Sequence, residues 1–324
     1  MLDILRVTFP FFALVLCGYL AARARLLPLE AIGGLNAFVL YFALPCMLFR
    51  FGAATPVARL FDPAVAAIWL PCGLLLVAGA LRAARAAGTR WNDAAFGALV
   101  TAFPNTGFMG VPLLVALLGA QAAGPVIATM LVDMVVTTSV CIAFSRLDAT
   151  DGGGAGGALA AARRALRGMA VNPMPGSILL GGAASWLQLE PVRPLGAAIG
   201  LLADAASPVA LFTIGAVLAR ARMLEAGGGQ SPAPWRGVLG LSLAKLVLHP
   251  LLVLAAGQGA IALGAPLASS TLTVVVLAAA LPSASNVSLL AERFGADTGR
   301  VARIILLTTA AAFLTFSGAV AWLA

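Results

Sequence analysis

Residues 94–132 read AAFGALVTAFPNTGFMGVPLLVALLGAQAAGPVIATMLV, a stretch without one Asp, Glu, Lys or Arg. A helix needs about 20 apolar residues to cross the hydrocarbon core of a bilayer. The stretch therefore holds two passes, divided by the glycine-bearing segment Gly119 to Gly124. Residues 7–22, 31–49, 63–81, 168–189, 205–219, 246–291 and 304–324 are likewise uncharged, and 246–291 again has room for two passes, with a break expected at Gly257 to Gly264. Composition agrees: the 324 residues are 61% hydrophobic and 10% charged, with a mean hydropathy of +1.03. A soluble domain is closer to half apolar and a quarter charged, and a globule of this size could not hide the excess. Backbone groups in lipid must pair internally, and nothing alternates like barrel strands, so the spans are helical.

The expected fold is an all-α integral membrane protein of ten spans: 4–22, 30–51, 63–84, 94–118, 122–146, 172–189, 194–219, 236–257, 267–292 and 299–323. Basic residues mark cytoplasmic loops. With the N-terminus outside, fifteen of the 20 Lys and Arg fall on inner loops, and four (Arg6, Arg50, Arg59, Arg193) fall outside. Both termini are thus expected on the outer face of a cell or inner membrane. Arg23 and Arg25 follow the first span, the reverse of a signal peptide. The net charge of +8 is a topology signal and not a nucleic-acid footprint.

Prolines repeat along the chain. Pro10, Pro45, Pro71 and Pro104 are matched by Pro175, Pro208, Pro250 and Pro282, and Pro45-Cys-Met-Leu-Phe-Arg-Phe-Gly52 parallels Pro208-Val-Ala-Leu-Phe-Thr-Ile-Gly215. Residues 1–147 and 171–324 read as two repeats around a cytoplasmic linker, 148–170, which opens with DATDGGGAGG. Residues 158–169 read equally as a short basic surface helix or a solvated loop. Five spans per repeat is odd, so the second copy is inverted, a recurring plan of secondary transporters.

The fourth span holds AFPNTGFMGVP (102–112) and the ninth ALPSASNVS (280–288). In each, a proline removes an N–H and opens the helix, and small polar residues follow. The half-helix after each break turns its positive end toward the bilayer midplane, which suits an anion. Pro104, Asn105, Thr106, Gly107, Pro282, Ser283, Ser285 and Asn286 are the candidate substrate-binding residues. Ordinary proline kinks are the plainer account of either break alone.

Ionisable residues at membrane depth are costly and mark function. Asp133, Asp204 and Lys245 lie near span centres, with His249 one turn beyond Lys245. Asp133 and Lys245 are expected to pair, either as a coupling device or as a permanent structural contact. Cys17, Cys46, Cys72 and Cys141 stand singly in apolar spans, and His249 is the only histidine, so neither a metal site nor a cofactor is expected.

FALPCMLF (42–49), AFPNTGFMGVPLL (102–114), NPMPGSILLG (172–181), LFTIGAVLA (211–219) and ALPSASNVSLLAERFG (280–295) resemble the auxin efflux carrier family in its bacterial form, along the whole chain. The resemblance implies a scaffold domain of spans 1, 2, 6 and 7 and a transport domain of spans 3–5 and 8–10. Broken helices 4 and 9 would cross at the substrate site, with Pro104, Asn105, Pro282 and Ser283 lining the crossing, in a fold similar to the bile acid sodium symporters. It implies efflux or exchange of small organic anions, such as mono- or dicarboxylates or auxin-like acids, and admits a homodimer through the scaffold. The central loop is short, and residues 63–81 lack the charged pair of plant members, so auxin itself is not implied. A sodium-coupled anion symporter, a channel and a non-transporting receptor are the competing readings. No HExxH, GxSxG or phosphate-cradling loop marks an enzyme.

Overall fold

The computed structural model describes residues 2–56, 62–147, 173–226 and 235–323; the expected linker, the segment 158–169 and most of the loop after residue 226 lie outside them. Among the described residues the secondary structure is helical: α1 Leu2–Arg23, α2 Ala31–Ala54, α3 Pro63–Ala86, α4 Trp91–Ala102, α5 Thr106–Leu118, α6 Ala120–Ser145, α7 Pro173–Trp186, α8 Arg193–Ala226, α9 Trp235–Ala262, α10 Ser269–Ala280, α11 Asn286–Arg293 and α12 Thr298–Leu323. Seven of these (α1, α2, α3, α6, α8, α9 and α12) are long and apolar enough to cross a membrane. α5 and α10 are shorter apolar helices. The protein is a multi-pass membrane protein.

Prolines are handled in two ways. Pro10, Pro71 and Pro208 sit inside continuous helices. Pro45, Pro112 and Pro250 each follow a five-residue π turn, at 39–43, 106–110 and 244–248. The ring removes the donor that would close an α turn, and the wider π turn passes the carbonyl to the next N–H. Among the prolines within the expected spans, Pro104 and Pro282 alone lie in chain that leaves the helix altogether. Apolar residues follow the tolerated prolines (Phe11, Cys46, Leu113, Val209, Leu251), whereas Asn105-Thr106-Gly107 and Ser283-Ala284-Ser285 follow the breaking ones. Asn and Ser compete with the helix for backbone bonds, which favours opening there.

The chain divides into two compact units. Unit 1 comprises Met1–Asp62, Thr106–Ala128 and Ala170–Gly229. Its principal pairs are α1 against α8 and α2 against α7, and glycines let their backbones touch. A Cβ on Gly18 would overlap the Phe212 carbonyl, and one on Gly181 the Phe49 carbonyl. A Cβ on Gly215 would meet the Val15 carbonyl, and one on Gly52 would stand 2.8 Å from the Ile178 carbonyl. The two sets of contacts are related by a constant shift of 163 positions: 18 to 181, 52 to 215, 15 to 178 and 49 to 212. Small residues at such crossings give membrane helices the van der Waals contact that a hydrophobic drive cannot supply in lipid.

Unit 2 comprises Pro63–Asn105, Thr129–Met169 and Gln230–Ala324. α4 is its core element, with every residue from Ala94 to Ala102 buried. α4 packs on α3, α12 and the C-terminal half of α6. The start of α12 is capped: Asp297 Oδ1 accepts the Arg300 N–H at 2.8 Å, and the Asp297 N–H donates to Asp93 Oδ1 at 2.8 Å.

Boundaries differ from expectation in several places: α8, expected to end at 219, runs to Ala226 and takes in Arg220 and Arg222. α9 runs to Ala262 and turns at Gly264, with φ +89°, while Gly257 stays helical and receives the side chain of Leu272. The Gly257 to Gly264 segment is therefore a break only at its end. Arg50, expected on an outer loop, lies within α2.

Candidate functional site

The two breaks meet inside unit 2. The Asn105 N–H donates to the Pro282 carbonyl at 2.8 Å, and the Ala284 N–H donates to the Phe103 carbonyl at 2.9 Å. Between these bonds Pro104 and Ser283 face each other as an isolated antiparallel bridge. Pro104 has no N–H to offer, and the Ser283 N–H turns aside to Thr308 Oγ1 at 3.2 Å. Thr308 in turn donates to the Ile304 carbonyl at 2.8 Å, a bond back to its own helix. The opened backbone is thus satisfied by its counterpart and by one hydroxyl, as buried peptide groups require.

Around the crossing, side chains remain unspent. Ser283 is 1% exposed and its Oγ has no hydrogen-bond partner. Asn286, the first residue of α11, has a buried Oδ1 without one. Asn105 and Ser285 are also buried, and the Ser285 carbonyl accepts from Ser288 Oγ at 2.7 Å. Buried polar atoms left unpaired cost about 1–3 kcal/mol each, so a ligand that supplies partners is favoured. α11 adds N–H groups at its start. Thr106 and Gly107 open α5, which belongs to unit 1; Thr106 is fully buried and its Oγ1 is also unpaired.

A second polar group lies deeper in unit 2. Asp133, Lys245 and His249 are each fully buried. Lys245 Nζ donates to the Ala279 carbonyl at 2.6 Å and lies 3.2 Å from His249 Nδ1. Asp133 Oδ1 accepts from Thr137 Oγ1 at 2.9 Å, while Oδ2 has no partner. Trp69 is a side-chain hydrogen-bond neighbour of Asp133, and Lys245 acts on it through its charge. Asp133 and Lys245 thus share a cluster, in which the ammonium donates to a carbonyl and lies against an imidazole. Trp69 lies across His249, ring centroids 5.0 Å apart. Asp204 is not part of this group: it sits on unit 1, 68% exposed, paired with Arg50 at 2.7 Å.

Thr308, Trp69 and the Ala279 carbonyl were not singled out by the sequence. Thr308 is one hydroxyl among several in its span, and a mid-span tryptophan or a main-chain carbonyl carries no distinguishing pattern.

A family model described as "Membrane transport protein" matches residues 4–151 and 159–320. The chain belongs to this family, the auxin efflux carriers. It is also 34% identical over 321 residues, 98% of this chain and 95% of the relative, to a Rhizobium meliloti (strain 1021) protein described as "Putative malonate transporter". Family and relative are transporters and not enzymes. This auxin efflux carrier family member brings its two proline-broken segments into direct backbone contact within one unit.

Proposed function

We propose that the protein carries a small organic anion, a malonate-like dicarboxylate being the first candidate, by alternating access around the crossing of its broken fourth and ninth spans. The observation that carries this reading is the pair of backbone bonds joining Phe103–Asn105 to Pro282–Ala284, beside the unpaired Ser283 hydroxyl and Asn286 amide. The hydroxyl and amide can donate to carboxylate oxygens, and the start of α11 favours negative charge. The similarity to a protein named as a malonate transporter supports the substrate class.

Counting each broken pair (α4/α5 and α10/α11) as one span, the twelve helices make ten spans in two inverted repeats. The glycine contacts repeated at a shift of 163 positions support that plan. Spans 1, 2, 6 and 7, all in unit 1, serve as the scaffold through which a homodimer would form, and spans 3–5 and 8–10 as the moving body, whose segment 106–128 groups with unit 1. The charge bias of the loops supports an inner-membrane carrier with both termini outside. Transport is in the efflux or exchange direction.

The test is flux. Purified protein is screened by thermal shift against mono- and dicarboxylates and indole acids, then reconstituted into proteoliposomes with the best ligand. Asn105→Ala is expected to insert and purify normally yet lose flux; normal flux in that variant moves the site elsewhere. Ligand binding without flux in the wild type would instead make the protein a receptor.

A further inference from the structure

We propose that Asp133, Lys245 and His249 form an exchangeable-proton site, coupled to the anion site through the contact of Lys245 with the Ala279 carbonyl. The proposal deepens the transport reading and rests on it.

The coupling follows from where the ninth span opens. In an unbroken helix the Ala279 carbonyl would accept the N–H of Ser283 four residues on. That N–H is diverted to Thr308, so the carbonyl is left at the negative end of α10. The Lys245 ammonium fills the place at 2.6 Å. A cation capping the last carbonyls of a helix stabilises both partners. Lys245 is therefore a positioning residue for the segment that carries Pro282 and Ser283.

Lys245 is in turn tied to titratable groups. An ammonium donating to His249 Nδ1 leaves the ring's own N–H on Nε2. That Nε2 is buried without a partner, and Trp69 Nε1 lies beside the Asp133 carboxylate without a full hydrogen bond to it. The unspent His249 N–H and the loosely held Trp69 Nε1 and Asp133 Oδ2 thus lie together, with the Trp69 ring tilted 49° to the imidazole. Asp133 Oδ2 can take a proton from water and give it back, so the cluster holds one proton more or one fewer while His249 keeps its tautomer.

Few other charges reach this layer. From α3 the titratable group is Cys72, and from α6 it is Cys141, an electrostatic neighbour of Asp133. α10 carries no ionisable side chain. On α12, Arg300 lies against Gly97 and Gly237, near the helix start; the only other charge there is Arg303, and α4 has only Asp93, in its first turn.

Both sites lie in unit 2 and share its low-dielectric interior. An anion arriving at the crossing favours a proton at the cluster, and the linkage is reciprocal. One proton is taken up as the anion binds and returned to water as it leaves; no other bond is made and no electron moves. Transport is then anion–proton symport, or its reverse.

Binding of malonate is measured between about pH 6.5 and pH 8.5, where malonate is already a dianion. The wild type is expected to bind up to about tenfold more tightly for each unit of acidification. Asp133→Asn is expected to flatten this dependence. Amide hydrogen exchange across residues 276–288 of the ligand-free protein, corrected for intrinsic rates, provides a second readout. It should show a pH-dependent step in the wild type that is lost, with protection lowered, in Lys245→Met. The double variant Asp133→Asn/Lys245→Met leaves no lone buried charge and guards against a folding defect in either single one. A flat wild-type profile, an unchanged profile in Asp133→Asn, or unchanged exchange in Lys245→Met overturns the proposal. If no carboxylate binds the wild type, the substrate reading fails, and the exchange measurement still decides the proton site.

Discussion

Unit 1 and unit 2 are both built from apolar helices but spend their polar and small residues differently. Unit 1 places glycines where helix backbones touch, at Gly18, Gly52, Gly181 and Gly215, and its Arg50–Asp204 ion pair stands on an exposed surface. Unit 2 buries Asp133, Lys245 and His249, opens two helices, and leaves several polar atoms unpaired. Backbone-to-backbone contact leaves no slack, and a side chain added there has nowhere to go. Unpaired buried polar atoms store a preference for something that arrives and departs. On the proposed reading, one unit keeps its shape and the other changes its occupancy.

That contrast can be broken by substitution. The largest effect belongs to unit 1. Gly18→Leu or Gly215→Leu should lose monodisperse folded protein, because even mild overpacking costs about 1–3 kcal/mol and these side chains would meet carbonyls. Size-exclusion profiles and thermal melts in detergent read this out. Recovery of either variant with a wild-type melt would show the close approach to be dispensable. Next comes Ser283→Ala in unit 2, expected to lower flux about tenfold or more while the melt moves little, since the hydroxyl has no internal partner to lose. Thr308→Val sharpens the comparison from the opposite side. It strips the Ser283 N–H of its acceptor, and should lower stability by about 1–3 kcal/mol and flux with it. The smallest effect is expected for Asp204→Asn, at most about 1 kcal/mol in the melt, because the pair is exposed and surface pairs contribute little. A large flux defect there would move function into unit 1.

Much of this was readable in the chain. Uncharged runs locate the spans because the bilayer admits few charges, and both true breaks were found from proline followed by small polar residues. The other prolines show the limit of that signal. Pro45, Pro112 and Pro250 look like breakers in isolation, but a π turn absorbs each of them. Helix boundaries at glycine were legible where φ is positive, as at Gly119 and Gly264, and not at Gly257, whose role is to admit Leu272. Ionisable side chains at span depth stand out, so Asp133, Lys245 and His249 are legible, but the same signal also picks Asp204, which lies exposed on unit 1. Their wiring was not legible, because the partners of Lys245 are a carbonyl and an imidazole, and the carbonyl is free only through the rerouting of one N–H to Thr308. A span sequence names its donors; which acceptor each one reaches depends on three-dimensional neighbours many residues away.

The reciprocal bonds from Asn105 to Pro282 and from Ala284 to Phe103 also bear on the return stroke. A break that depended on cargo to complete its main chain would be costly to reset vacant, and such a carrier would be confined to one-for-one swapping. Here the two interrupted strands of chain complete each other. On the proposed alternating-access reading, the vacant form keeps this main-chain pairing, and net movement down a gradient is expected without counter-cargo on the far side.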